Sequence, residues 1–335
     1  MSMKTDRTNL LNKNLQKRIL KEIHKGDTLT LQNLKAENTN FHWCYISYNN
    51  IGDTALHIAA RLGHINIIDY LLQNYSPCCV DIKNKDDKTP LHEAAQFAQY
   101  ESVLQLCSYG ASVNALKRAD WTPLMLACTK LQPQSLNIIK DLVHRGAILN
   151  VPNKDGWTCN HLLAREGILE GTDKIFEYLV SEGLEVSSKT KNGRTSLHIA
   201  ALHGNIGLAP ILLQYIDIDT RDGCGNTPLH EAILGQHINF VKILIERGAD
   251  INATNNNMHS CLHLASSQNY IEGIHYLIAH VNITRINDQT KEGYTASHCA
   301  ARNGHTLALE LLSKLGANIN IKDNFGRVPH DYLSV

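Results

Sequence analysis

A short phrase comes back down the chain at a nearly fixed interval. With Thr54 of Asp53-Thr54-Ala55-Leu56-His57 as the marker, equivalents fall at Thr89, Thr122, Thr158, Thr195, Thr227, Ser260 and Thr295, with a looser copy at Val328, in steps of 32 to 37 residues. Self-similarity at that period means one supersecondary unit used many times, each copy burying its apolar face only against its neighbours. The core then grows lengthwise. A chain of 335 residues thereby avoids the size limit on a single globular core.

Each copy carries the chemistry of a helix start. In Thr89-Pro90-Leu91-His92 and Thr227-Pro228-Leu229-His230 the threonine is placed to cap a helix, and proline at its first position gives up only an amide that would be unpaired there. The leucine points into the stack. Histidine follows one turn from the cap as His57, His92, His161, His198, His230, His263 and His298, with Met125 the exception. One ring per repeat, never clustered, predicts a bond to the threonine hydroxyl or a neighbouring loop carbonyl rather than metal binding or pH sensing. Gly63, Gly167, Gly204 and Gly304 are placed to end a first helix. Second helices follow, with apolar stripes such as Ile67, Ile68, Leu71 and Leu72, or Val241, Leu244 and Ile245, and end at Gly110, Gly146, Gly183, Gly248 and Gly316. Segments such as Ala249–Asn252 and Ala317–Asn320 then look like hairpin fingers joining repeats.

The period and the Thr-Pro-Leu-His phrases identify residues 49–335 as a member of the ankyrin-repeat family. That resemblance implies an all-α ankyrin-repeat solenoid of about eight helix-turn-helix repeats with β-hairpin fingers and helical caps, whose general role is binding other proteins. Residues 1–48 are expected to form an N-terminal capping helix pair, with Leu15, Ile19 and Ile23 at helical spacing and Gly26-Asp27 as the turn. At the other end Gly326-Arg327-Val328-Pro329-His330-Asp331 repeats the phrase with no room for a second helix.

Composition excludes several classes. Lys plus Arg and Asp plus Glu both total 32, so no global field draws the chain to phosphate backbones, and no nucleic-acid partner is expected. Met1–Leu20 lacks the apolar core of a signal peptide and no apolar run spans a bilayer, which predicts a soluble protein of the cytoplasm or nucleus without membrane contact. A monomer is expected. Nine cysteines is an odd count; Cys107, Cys128 and Cys299 sit at helical core positions, Cys78-Cys79 is not C-x-x-C, and no zinc-finger spacing occurs. Structural thiols, no metal and no cofactor are the expectation. The N-x-S/T triplets at Asn74 and Asn282 are read as chance. His92-Glu93-Ala94-Ala95-Gln96 lacks the second histidine of a zinc protease helix, and no phosphate loop or nucleophile elbow is present. The chain is not expected to be an enzyme, and no catalytic residue is assigned.

Departures from the repeat pattern carry the functional signal. The residue before each marker is Asp53, Lys88, Trp121, Trp157, Arg194, Asn226, His259, Tyr294 and Arg327, so adjacent repeats place Trp121 and Trp157 at equivalent tips. The same two repeats reach Gly146 and Gly183 at 24 and 25 residues past Thr122 and Thr158, against 21 from Thr89 to Gly110. The excess falls in the turns around Leu131-Gln132-Pro133-Gln134 and residues 167–171. Basic residues crowd these fingers: Lys117 and Arg118, Lys154, then Lys189, Lys191 and Arg194, then Arg221. Trp121, Trp157, Lys117, Arg118, Lys154 and Arg194 are the expected partner-binding set, since tryptophan and arginine dominate interface hot spots. The structural alternative is that each indole shields the next finger.

Two segments show a closer likeness. Leu116-Lys117-Arg118-Ala119-Asp120-Trp121-Thr122-Pro123-Leu124-Met125 and Asn153-Lys154-Asp155-Gly156-Trp157 resemble the matching stretches of an ankyrin-repeat co-regulator of alanyl-tRNA synthetase. The resemblance implies a partner in that enzyme's catalytic domain and a role in limiting serine misactivation, with lysines capturing the misactivated serine. Lys154 matches a lysine of that pattern. The pattern has lysine where this chain has Arg118 and near Ser187; Lys117 and Lys189 lie beside these places and complete the set of acceptors, Lys154, Lys117 and Lys189. A generic scaffold or adaptor for another intracellular protein is the alternative.

Overall fold

The computed structural model describes residues 2–37, 47–74, 79–166, 171–280 and 283–333. Contacts divide the chain into two compact units, Met1–Cys159 and Asn160–Val335. Each is built of paired helices, first and second helices alternating, with like helices of successive repeats packed on one another.

In the first unit the helix Ser2–Lys25 packs on Thr28–Glu37 and on Ala55–Leu62. Ile19, Ile23, Leu31 and Leu34 are buried there and Leu15 is half-buried, as their helical spacing requires. Pairs Ala55–Leu62 with Ile65–Asn74, Pro90–Gln96 with Tyr100–Ser108, and Pro123–Ala127 with Ser135–His144 follow. The stripe Ile67, Ile68, Leu71 and Leu72 is buried, and a fully buried aliphatic side chain contributes about 2 kcal/mol. The extra turn around Leu131 is closed by the Gln132 amide donating to Ser135 Oγ at 2.9 Å. In the second unit the pairs run from Cys159–Arg165 and Thr172–Ser181 to Ala296–Arg302 and Thr306–Lys314, and a short 3₁₀ turn, Pro329–Tyr332, ends the described chain. Gly167 and residues 168–170 of the second expected turn, Cys78, and Asn282 lie outside the described residues.

The caps form as their residue types dictate. Markers place a backbone N–H on the histidine three residues later: Thr54, Thr89, Thr195, Thr227, Ser260 and Thr295 donate to Nδ1 at 3.1 to 3.2 Å. Nδ1 as acceptor fixes the proton on Nε2, which donates to a tip carbonyl of the next repeat: His57 to Lys88 at 2.8 Å, His92 to Trp121 at 3.0 Å, His298 to Arg327 at 3.0 Å. Burial pushes the imidazoles of His92, His230 and His263 down to about 4. The ring is a neutral tether between repeats. Gly63 shows why glycine ends the first helix: φ is 77°, and an added Cβ would lie 2.4 Å from Gln99 Oε1.

The expected β-hairpin fingers are corrected. Among the described residues there is no strand, only isolated bridges at Lys117 with Trp121 and Thr254 with Ser260. A finger spans five residues and two backbone bonds close it, Asn84 N to Lys88 O and Asp87 N to Asn84 O at 3.0 Å in one, Asp222 N to Asn226 O at 3.0 Å and Gly225 N to Asp222 O at 2.9 Å in another. Side chains supply the rest. Asn84 Oδ1 accepts the amides of Asp86 and Lys88 at 2.9 and 3.0 Å, an Asx turn that takes the bonds a ladder would have used.

Among the described residues no group of three or more His, Cys, Asp or Glu is set to hold a metal, and no helix is long and apolar enough to cross a membrane. Cys79, Cys128, Cys159, Cys261 and Cys299 are buried, and burial pushes the thiols of Cys107 and Cys299 up to about 11 and 12, far from a reactive thiolate.

Candidate partner-binding surface

Three fingers of the first unit, residues 84–88, 117–121 and 153–157, stand side by side. Arg118 N donates to Asp86 O at 2.8 Å and Lys154 N to Ala119 O at 3.0 Å, so each finger is bonded to the one before. Lys85, Arg118 and Lys154 occupy the same position within successive fingers, and all three are exposed.

The middle finger is built differently. Where its neighbours have Asn84 and Asn153 as side-chain acceptors, it has Lys117, which accepts nothing. The chain turns instead through Ala119 at φ 65° and Asp120 at φ 62°, two consecutive left-handed residues without glycine, a conformation that costs about 1 kcal/mol for a residue with a Cβ. In exchange Lys117 is released from the loop, and its Nζ lies 5.3 Å above the centre of the Trp121 ring. Burial, then the positive charges of Lys88 and Arg118, lower the Lys117 ammonium below its ordinary value against the opposing pull of Asp86 and Glu93. Both indoles are half-buried: neither Trp121 nor Trp157 is core. Arg118 reaches back to Asp86 Oδ1 at 3.2 Å and to Lys85 O at 3.1 Å, so it latches two fingers while 69% of its side chain stays exposed.

Five of the expected binding residues, Lys117, Arg118, Trp121, Lys154 and Trp157, therefore share adjacent fingers. Arg194 and Lys189 belong to the second unit. Lys189 is exposed. The Arg194 guanidinium is engaged within its own unit, with Nη2 2.9 Å from Glu231 Oε1 and Nε 3.6 Å from Asp222 Oδ2. Arg221, also counted among the basic residues of these fingers, donates to Gly225 O and Thr254 O at 3.0 and 2.5 Å.

A charged cluster beneath the first unit's fingers escaped the sequence reading. Arg61 bridges Asp53 and Glu93, the latter at 2.7 Å, and Lys88 meets Glu93 Oε1 at 2.7 Å and Gln96 Oε1 at 2.6 Å. Burial raises the Glu93 carboxyl, but the Arg61 bond and the Lys88 charge outweigh it and hold it below the carboxylate range. The Phe97 ring lies under Arg61, Lys88 and Lys130 at 5.6 to 6.0 Å. The signal was present: Asp53, Arg61, Lys88 and Glu93 hold fixed register positions, visible only when the repeats are aligned.

Repeated helix pairs whose fingers present cations and half-buried indoles define a class of proteins that hold other proteins on an extended face. An ankyrin-repeats model covering three copies matches residues 19–117, 161–255 and 253–323, and the single ankyrin-repeat model matches 119–154. The chain belongs to the ankyrin-repeat family, whose members are generally non-enzymatic protein-interaction modules. It is similar to the nuclear factor NF-kappa-B p105 subunit of Gallus gallus, 29% identical over 61% of this chain and 21% of that one. It is likewise similar to the B-cell lymphoma 3 protein homolog of Mus musculus, 28% identical over 66% of this chain and 50% of the relative. With human transient receptor potential cation channel subfamily A member 1 it shares 30% identity over 74% of this chain and 19% of the channel. The chain thus spans half or less of the length of these relatives.

Proposed function

We propose that this chain is a non-enzymatic protein-binding module whose partner lands on the first unit's fingers, and that the partner is the catalytic domain of alanyl-tRNA synthetase. The observation that carries the surface is the departure of the middle finger from the Asx turn, which frees Lys117 to lie over Trp121. A loop that accepts left-handed backbone without glycine in order to display a lysine and an indole is organised for something outside the molecule. Trp157, Lys154 and Arg118 extend the display along the adjacent fingers of the same unit; Lys189 and Arg194 belong to the second unit, where the Arg194 guanidinium is already held by Glu231 and Asp222.

The choice of partner rests on the likeness of residues 116–125 and 153–157 to ankyrin repeat domain-containing protein sixteen, not on the curated relatives, none of which points to a synthetase. In this reading Lys117, Lys154 or Lys189 captures misactivated serine. The neutral amine attacks the carbonyl carbon of seryl adenylate, the bond from that carbon to the phosphate oxygen breaks, AMP leaves, and the ammonium proton passes to solvent. Lys117 suits this chemistry, because burial and neighbouring cations favour its neutral form.

Co-purification from native cells tests the partner: synthetase enriched with the chain supports the proposal, and its absence removes it in favour of an intracellular scaffold with another client. Peptide mass spectrometry after incubation with synthetase, serine and ATP tests the capture step. Seryl adducts are expected at Lys117 or Lys154, and unmodified lysines would leave docking alone.

A further inference from the structure

The four register positions that form the Asp53–Arg61–Lys88–Glu93 cluster recur near the end of the second unit with different chemistry. Tyr294 replaces Asp53, Arg302 replaces Arg61, Arg327 replaces Lys88 and Tyr332 replaces Glu93. The cations are kept and both carboxylates have become phenols. In the first unit, Arg61 and Lys88 are satisfied by acid groups of their own chain. In the second, the Arg302 guanidinium carbon lies 4.3 Å from the Tyr294 ring centre and 5.7 Å from that of Tyr332, and Arg327 lies 5.4 Å from the Tyr332 centre. Among the described residues neither arginine comes within ion-pair distance of a carboxylate.

The nearby acids are already engaged. Asp323 Oδ1 accepts the amides of Phe325 and Arg327 at 2.8 and 2.9 Å, its Oδ2 accepts the Tyr332 hydroxyl at 2.5 Å, and Glu292 Oε2 accepts the Thr290 hydroxyl at 3.1 Å. Both arginines are exposed. A guanidinium held by its face over a ring keeps its N–H edge for a planar oxyanion, and a carboxylate matches that fork with two parallel bonds. Beside them Phe325, 67% exposed, stacks on Tyr294 with ring centres 6.5 Å apart. An exposed aromatic next to two unsatisfied arginines is an anchor for an apolar residue adjoining an acidic one.

We propose that Arg302 and Arg327 form a carboxylate-binding site for an acidic, apolar-spaced segment of a partner protein, which supplies from outside the acid groups that Asp53 and Glu93 supply within the first unit. Carboxylate is favoured over phosphate because carboxylates fill the corresponding positions of the same register. The site is separate from the fingers carrying Trp121 and Trp157 and does not depend on that assignment.

Fluorescence anisotropy of the full chain with a fluorescein-labelled peptide alternating glutamate and leucine tests it, alongside a glutamine counterpart and a phosphoserine counterpart. The glutamate peptide should bind, and Arg302→Gln or Arg327→Gln should each weaken it about tenfold or more. The glutamine peptide should bind no better than to those variants. Arg302→Lys, which keeps the charge and loses the fork, should restore only part of the affinity, while Trp121→Ala with Trp157→Ala should change nothing. Amide chemical shifts of the unmutated chain provide a readout free of folding artefacts, with Gly293 and Gly326 expected to move on peptide addition. Absence of glutamate-peptide binding, binding indifferent to Arg302→Gln, or tighter binding of the phosphoserine peptide would each overturn the assignment.

Discussion

At the residue scale, the buried histidines and two matched glutamates do most to set how the molecule responds to pH and substitution. The folded rings of His92, His230 and His263 titrate near 4, below the ordinary 6.5 of an unfolded histidine. Between those values the unfolded chain binds protons that the folded chain does not, so stability falls as pH drops from about 6.5 and levels off near 4. At about 1.36 kcal/mol per pH unit that shift amounts to about 3 kcal/mol per ring, and thermal unfolding followed from pH 7 to pH 4 should show the decline; a midpoint constant over the range would contradict it. Glu93 and Glu231 occupy the same place in their repeats and are both buried, yet Glu93 has two cations while Glu231 has Arg194 on one oxygen and no partner on Oε2. Burial, with Asp222 adding to it, raises the Glu231 carboxyl despite Arg194. Chemical denaturation should accordingly find Glu93→Gln destabilising by about 3 kcal/mol and Glu231→Gln neutral or stabilising. Equal losses at the two sites would be inconsistent with this difference.

At the element scale, the finger is where sequence and structure diverge. Caps were legible because they are local: a threonine and a histidine three residues apart meet on one helical turn, and the tethers were legible because the same histidine recurs once per repeat, next to the following tip. Hairpin strands were expected between repeats because the ankyrin-repeat resemblance implies them, and they fail because Asn84, Asn153 and their equivalents take the amides that a ladder needs. The middle finger's left-handed Ala119 and Asp120 left no mark in composition. Ala119→Gly relieves that backbone and should raise stability by up to about 1 kcal/mol in urea unfolding, whereas Gly63→Ala, with φ 77° and Gln99 in the way, should lower it by more than that. A loss of stability in Ala119→Gly would mean that the methyl group, not the turn, is what the finger uses.

At the scale of the whole molecule, the repeat period gave the architecture and alignment of the repeats gives the sites. Trp121, Trp157, Lys117, Arg118 and Lys154 were visible as departures from a common register and come together on adjacent fingers of the first unit. Arg194 looked like one more cationic tip, but its ion pair with Glu231 spans 37 residues, a distance that no local pattern reveals. Tyr294, Arg302, Arg327 and Tyr332 were each ordinary in sequence and acquire meaning only against Asp53, Arg61, Lys88 and Glu93. The central claim is that the first unit's fingers are a landing surface. Its most direct measurement is the Kd of the chain for the alanyl-tRNA synthetase catalytic domain, with and without Trp121→Ala combined with Trp157→Ala. A loss of at least about tenfold with an unchanged unfolding midpoint is predicted; an unchanged Kd, or loss of the fold itself, would contradict it.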